Sequence, residues 1–139
     1  MWYLLSIVEK LPHWIRWILT PVAAVVAFLA VNFFFGSIWV LHELLWSIGP
    51  DAIYRRILEN LAQSGASGFL MVQSVYYTSP SRKAGAGLLC GSVIILICVA
   101  GLLPAIAAVK TWSIVNLLSM TAGAVLAIYD FFPSRRSQI

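Results

Sequence analysis

The chain has 139 residues, 61% of them hydrophobic and only 10% charged, with a formal net charge of +4. A soluble domain runs at about 45–50% apolar and about 25% charged, so composition alone excludes an ordinary water-soluble domain, and the apolar runs leave no room for a large aqueous one. In such a chain the excess of Lys and Arg reports orientation across the bilayer before it reports any partner.

Residues 1–19 read as an interfacial segment. Glu9 comes early, no basic stretch opens the chain and Pro12 interrupts it, all of which argue against a cleaved signal peptide. Trp14, Trp17 and Ile18 beside His13 and Arg16 form the mixture that settles at headgroup level. Thr20 and Pro21 then look like a helix start, a capping hydroxyl followed by a proline whose missing N–H costs nothing at the first helical position. No Lys or Arg occurs from there to Ser47, so residues 21–47 are expected as a long first span. Within it Asn32, Gly36, Trp39 and Glu43 recur at helical spacing and share a face. That stripe suits a pore or an interface, or simply a helix end whose Glu43 is solvated. His42-Glu43-Leu44-Leu45 stops short of the zinc-protease motif because Trp46 takes the place of the second His, so no metal site is expected.

Residues 50–83 read as a cytoplasmic connection. Asp51 to Gln63 predicts a short amphipathic helix, with Ile53, Ile57, Leu58 and Leu61 on one side, resting on the inner surface. Ser64 to Gly68 predicts a small-residue loop, and Phe69 to Tyr77 is too short to cross as a helix by itself. A full crossing there would move the N-terminus to the other side.

The second span, residues 84–109, is organised on Gly87 to Val109, which as a helix covers about 34 Å, enough for a hydrocarbon core of about 30 Å. Gly87, Gly91, Cys98, Gly101 and Ala105 fall on one side of it, and Gly87 and Gly91 form a G-x-x-x-G pair. Such spacing lets backbones approach closely, within the chain or between subunits. Cys90 and Cys98 lie beyond disulfide reach of each other and read as small apolar fillers. Pro104 predicts a kink beside Gly101. The third span, residues 112–132, places Asn116, Ser119, Gly123, Ala127 and Asp130 on one face that should avoid lipid. A basic tail, 133–139, closes the chain.

The expected fold is therefore an all-α integral membrane protein with three transmembrane helices, an N-terminal interfacial helix and a short cytoplasmic amphipathic helix. With three spans, Arg55, Arg56, Arg82, Lys83, Arg135 and Arg136 collect on one side and Lys10, Arg16 and Lys110 on the other. The larger set marks the cytoplasm, placing the N-terminus outside and the C-terminus inside. Trp14, Trp17 and Trp112 then belt one boundary, and Trp46, Tyr129 and Phe132 the other.

An enzyme needs a constellation of reactive groups, and the sequence displays none, so a non-enzymatic role without cofactor or metal is expected. A secondary transporter would be larger and internally repeated. Two readings remain. One is a homo-oligomeric channel or pore with Asn32, Glu43, Asn116, Ser119 and Asp130 on its polar faces and Gly87, Gly91 and Gly101 packing its helices. The other is a non-catalytic accessory or scaffolding subunit of a larger membrane complex. The three basic pairs, Arg55-Arg56, Arg82-Lys83 and Arg135-Arg136, suit anionic headgroups of membrane lipids. Repeated around a ring they would form a positive collar able to hold a nucleotide, an oligonucleotide or an acidic protein partner. The general plan, though carried by no motif, is similar to that of small multi-span bacterial membrane effectors controlled by a soluble partner, which implies the bacterial inner membrane.

Overall fold

The computed structural model describes residues 11–46, 53–80 and 83–130. All the regular structure among them is helical and falls into four rods. Helix α1 is His13–Trp46. Rod α2 consists of three consecutive pieces, Ile53–Ile57, a π-helical turn Leu58–Gln63, and Ser64–Thr78. Helix α3 is Lys83–Ala107 and α4 is Thr111–Asp130. Three of the four, α1, α3 and α4, are long and apolar enough to cross a membrane.

Helix α1 begins earlier than its sequence signals suggest. His13 to Leu19, expected as a separate surface segment, already belongs to it, and Pro21 lies inside it. Thr20 is not a cap, because its hydroxyl donates back to the carbonyl of Arg16 at 2.7 Å. Pro21 removes the backbone donor to the carbonyl of Trp17, and the helix runs on through it. Asn32 and Ser37 likewise donate to the carbonyls of Phe28 and Phe33, so these three side chains find partners on their own backbone. Residues 1–10, the rest of the expected interfacial segment, lie outside the described residues.

Rod α2 is the main departure from expectation. The predicted loop at Ser64 to Gly68 is helical, and Phe69 to Tyr77 is the second half of a rod spanning 53–78, about 39 Å at 1.5 Å per residue. The rod stops where Pro80 disfavours helical geometry in Ser79, whose N–H still donates to the carbonyl of Val75. Small residues explain why a polar stretch stays helical here. Gly65 and Gly68 let α4 come close enough to pack along it.

The four rods run up, down, up and down. Rod α2 lies antiparallel to α1, as pairs Glu43 with Arg55, Asn32 with Gln63, and Arg16 with Ser79 show. It lies parallel to α4, from Asn60 beside Asn116 to Gln73 beside Asp130. It packs on all three other helices, whereas α1 leans chiefly on α2. The core holds Val72, Ile94, Cys98, Ala124 and Ala127, with Ile128 and Leu117 against it. Cys98 is a buried filler in that core. Helix α3 runs through Pro104, and a tight turn leads from it to α4, with Val109 in the left-handed region at φ 53°. A β-branched side chain is strained there.

This arrangement revises several expected groupings. Arg55 and Arg56 open α2, whereas Lys83 follows its far end, about 35 Å along the rod, so they do not share one face. Arg82, Arg135 and Arg136 lie outside the described residues. Trp14 and Trp17 stand at the start of α1 and Trp112 at the start of α4, which are opposite ends of the bundle. Tyr129 and Trp46 are separated in the same way.

Candidate functional site

A cleft of about 700 Å³ opens between α1, α2 and α4 at the end of the bundle marked by Trp46 and Thr111. From α1 it is lined by Phe28, Asn32, Gly36, Trp39, Val40 and Glu43. From α2 come Arg55, Glu59, Asn60, Gln63, Ser64 and Ser67, and from α4 Asn116 and Met120. Arg55 to Ser67 is twelve residues, so the polar lining reaches about 18 Å along the rod. The bundle's outer surface, by contrast, is set with exposed apolar side chains such as Phe33, Leu44, Leu96 and Leu103.

The charged groups sit at the mouth. Arg55 Nε donates to Glu59 Oε1 at 2.8 Å, one helical turn on, and its other guanidinium edge donates to Glu43 on α1. The guanidinium also lies over the ring of Trp39, 5.3 Å from its centroid. Trp39 is only 6% exposed and is flanked by His42 and Tyr54, with ring centroids 5.9 and 6.4 Å away. Its buried indole N–H meets no hydrogen-bond acceptor among the described residues.

Deeper in, amides replace charges. Gln63 donates to Asn32 at 2.7 Å, and Asn116 faces Asn60 at 3.4 Å. Ser119 donates to the carbonyl of Leu61. That carbonyl belongs to the π-helical turn and also accepts the backbone N–H of Ser64, so the Ser119 hydroxyl takes its second lone pair. Below this level the path closes. A Cβ on Gly123 would lie 2.0 Å from the carbonyl oxygen of Gly65, and one on Gly68 would lie 2.3 Å from that of Met120. The cleft therefore does not continue between α2 and α4 beyond this contact, and α1 and α4 flank it from either side of α2.

The structure brings Asn32, Glu43 and Asn116 to this cleft and sets Ser119 beside it, joined to α2. Asp130 goes elsewhere: at the opposite end of the bundle it accepts from Gln73 at 2.9 Å, while Gln73 Oε1 is buried without a partner. The small residues of α3 face inside the chain. Gly91 meets Ile128 and Val72, Gly101 meets Leu117, and Gly87 is buried. Arg55 is engaged by two carboxylates rather than presented to an anion. Arg56 is partly buried behind it, its carbonyl accepting from Asn60.

Glu59, Asn60, Gln63, Ser64 and Ser67 were missed as site residues. The signal was present, since Arg55, Glu59, Gln63 and Ser67 recur every four residues and share a helical face. A helix resting on the inner surface turns that face to water, and ending it at Gln63 leaves Ser64 and Ser67 off it. Comparison with known proteins finds no matching family model, no matching curated protein and no matching solved structure, so the reading of the site rests on its geometry.

Proposed function

We propose that the protein is a small polar-solute channel or carrier of a biological membrane, in which each chain holds its own conduit and the cleft is its aqueous vestibule. One observation carries this reading: the polar stripes of three helices converge on one cleft inside a bundle whose exterior is apolar. Polar groups in hydrocarbon must be satisfied, and a cavity of this size and lining holds water or a hydrated solute. The same stripes would have to face outward to build a pore on an axis shared between subunits. They face α2 instead, so a homo-oligomer is not needed to form the conduit.

In this reading α2 is a fourth crossing, since it runs beside α4 from the level of Asn116 to that of Asp130. Both termini then lie on one side. Arg16, Lys83 and Asp130 stand at that end of the bundle, with Lys10, Arg82, Arg135 and Arg136 within six residues of them in sequence, and Arg55, Arg56 and Lys110 stand at the other. The positive-inside rule makes the first end cytoplasmic and opens the vestibule outward.

The alternative, an accessory subunit, draws on Gly36. It lines the cleft with nothing within 4 Å of its would-be Cβ, so the α1 wall leaves space beside it for a partner's helix. The two readings separate in proteoliposomes carrying Cys90→Ala and Cys98→Ala. Asn60→Cys and Ser67→Cys should react with a membrane-impermeant thiol reagent, whereas Val72→Cys should not. Swelling in small polar solutes such as urea or ammonium salts should fall when Asn60→Cys is modified. Failure to label either lining position would overturn the vestibule, and labelling without any flux would favour the accessory subunit.

A further inference from the structure

We propose that a groove between α1, α2 and α3 seats one anionic phospholipid, its acyl chain lying along the groove and its phosphate held by Arg16 and Lys83. The inference is independent of what the cleft passes. The groove has a volume of about 620 Å³ and is walled by Trp17 and Ala24 of α1, Val75 of α2, and Gly85, Val93 and Ile97 of α3. Thr20 brings the one hydroxyl of the lining, and that hydroxyl is spent on the carbonyl of Arg16. From Gly85 to Ile97 the α3 wall runs about 18 Å, against about 15 Å for one leaflet of a hydrocarbon core. It is long enough for an acyl chain.

Basic groups close one end of this groove. Arg16 adjoins Trp17 in sequence, and Lys83 stands two residues before Gly85. The Arg16 guanidinium donates through one nitrogen to the carbonyl of Ser79 at 3.1 Å, which pins it at the end of α2. Its Nε is buried with no acceptor among the described residues, and neither Arg16 nor Lys83 is ion-paired among them. A partly desolvated cation without a counter-charge favours an anion, and the fork of guanidinium donors matches phosphate oxygens. Asp130, the acid of that end among the described residues, is engaged by Gln73, and neither of the two lines the groove.

The two features call for one molecule that answers both. A free phosphate would meet the cations and leave the apolar groove empty, whereas a zwitterionic lipid would fill the groove but bring an ammonium group toward two cations. An anionic phospholipid has the tail and the uncompensated charge. Trp17 stands where the groove meets the basic end, the level that suits an amphipathic ring at the boundary between chain and headgroup. The opposite end of the bundle lacks this coincidence, because Arg55 there is already paired with Glu43 and Glu59.

The test uses the full chain in a neutral detergent, titrated with phosphatidylglycerol or phosphatidylcholine of identical acyl chains, with bound lipid counted by native mass spectrometry. One phosphatidylglycerol should bind per chain about tenfold more tightly than phosphatidylcholine, and inorganic phosphate or glycerol 3-phosphate at equal concentration should not displace it. Arg16→Gln should weaken phosphatidylglycerol about tenfold and Lys83→Gln about fivefold, with phosphatidylcholine little changed. Lys83→Gln decides the matter if Arg16→Gln does not fold. Lys110→Gln, which removes a charge from the opposite end of the bundle, should leave both lipids as they were. Equal affinity for the two lipids, unchanged affinity in Lys83→Gln, or an equal loss in Lys110→Gln would overturn the proposal. Displacement by inorganic phosphate would overturn it too, by showing a site for free anions.

Discussion

Helices α2 and α4 run side by side, yet their two ends do opposite things. Toward Arg55 they meet through side chains, Asn116 reaching Asn60 at 3.4 Å and Ser119 the Leu61 carbonyl, with the cleft beside them. From Gly65 onward they touch backbone to backbone, so closely that Gly123 could not carry even a methyl group without displacing the Gly65 carbonyl. Lipid tails offer no hydrophobic drive for helices to associate, so a membrane bundle holds where small residues permit dense contact. The glycine-lined half is accordingly the weld, and the polar half is held open by it.

The comparison is tested most severely by Gly123→Ala. Its Cβ would press on backbone atoms, which cannot rotate away, and a loss of about 3 kcal/mol is expected on the scale of overpacked cores. Reversible unfolding in mixed micelles would measure it. Gly91→Ala should cost less, about 1 kcal/mol, because the atom it meets at 2.5 Å is the far end of the Ile128 side chain, which can turn. Gln63→Ala, in the open half, removes the bond to Asn32 and should cost only about 0.5 kcal/mol, since water in the cleft can take over the freed amide. Gly36→Ala meets nothing and should stabilise α1 by about 0.5 kcal/mol through helix propensity alone. If Gly36→Ala and Gly123→Ala proved equally costly, the division into a welded and an open half would be wrong.

Topology offers a different kind of test. If α2 is the fourth crossing proposed above, in addition to the three helices long and apolar enough to span, Ser6→Cys and Ser137→Cys should label from the same side of the membrane. Labelling from opposite sides would return α2 to a surface position and place the cleft outside the bilayer.

The stripes on α1 and α4 were legible because helical periodicity is a local property. Asn32 and Glu43, or Asn116 and Ser119, share a face whatever they later pack against. Their partners were not legible. Nothing in the spacing of Asn32 or Asn116 says that the other half of each pair, Gln63 and Asn60, comes from a segment read as partly surface helix and partly loop. The G-x-x-x-G pair on α3 was equally legible as a close-approach signal, but whether Gly91 meets another subunit or Ile128 of its own chain depends on where α4 lies.

The sequence by itself determined that three helices are long and apolar enough for a membrane, since transfer of each into hydrocarbon depends on its own length and composition. Only the tertiary structure decided the course of residues 53–78. Their serines, glycines and amides make a weak helix and a poor span when summed locally, and what compensates is contact. Gly65 and Gly68 admit the α4 backbone, Asn60 and Gln63 find amides on α4 and α1, and Gln73 reaches Asp130. Those contacts join residues up to 58 positions apart, and no local sum over the sequence contains them.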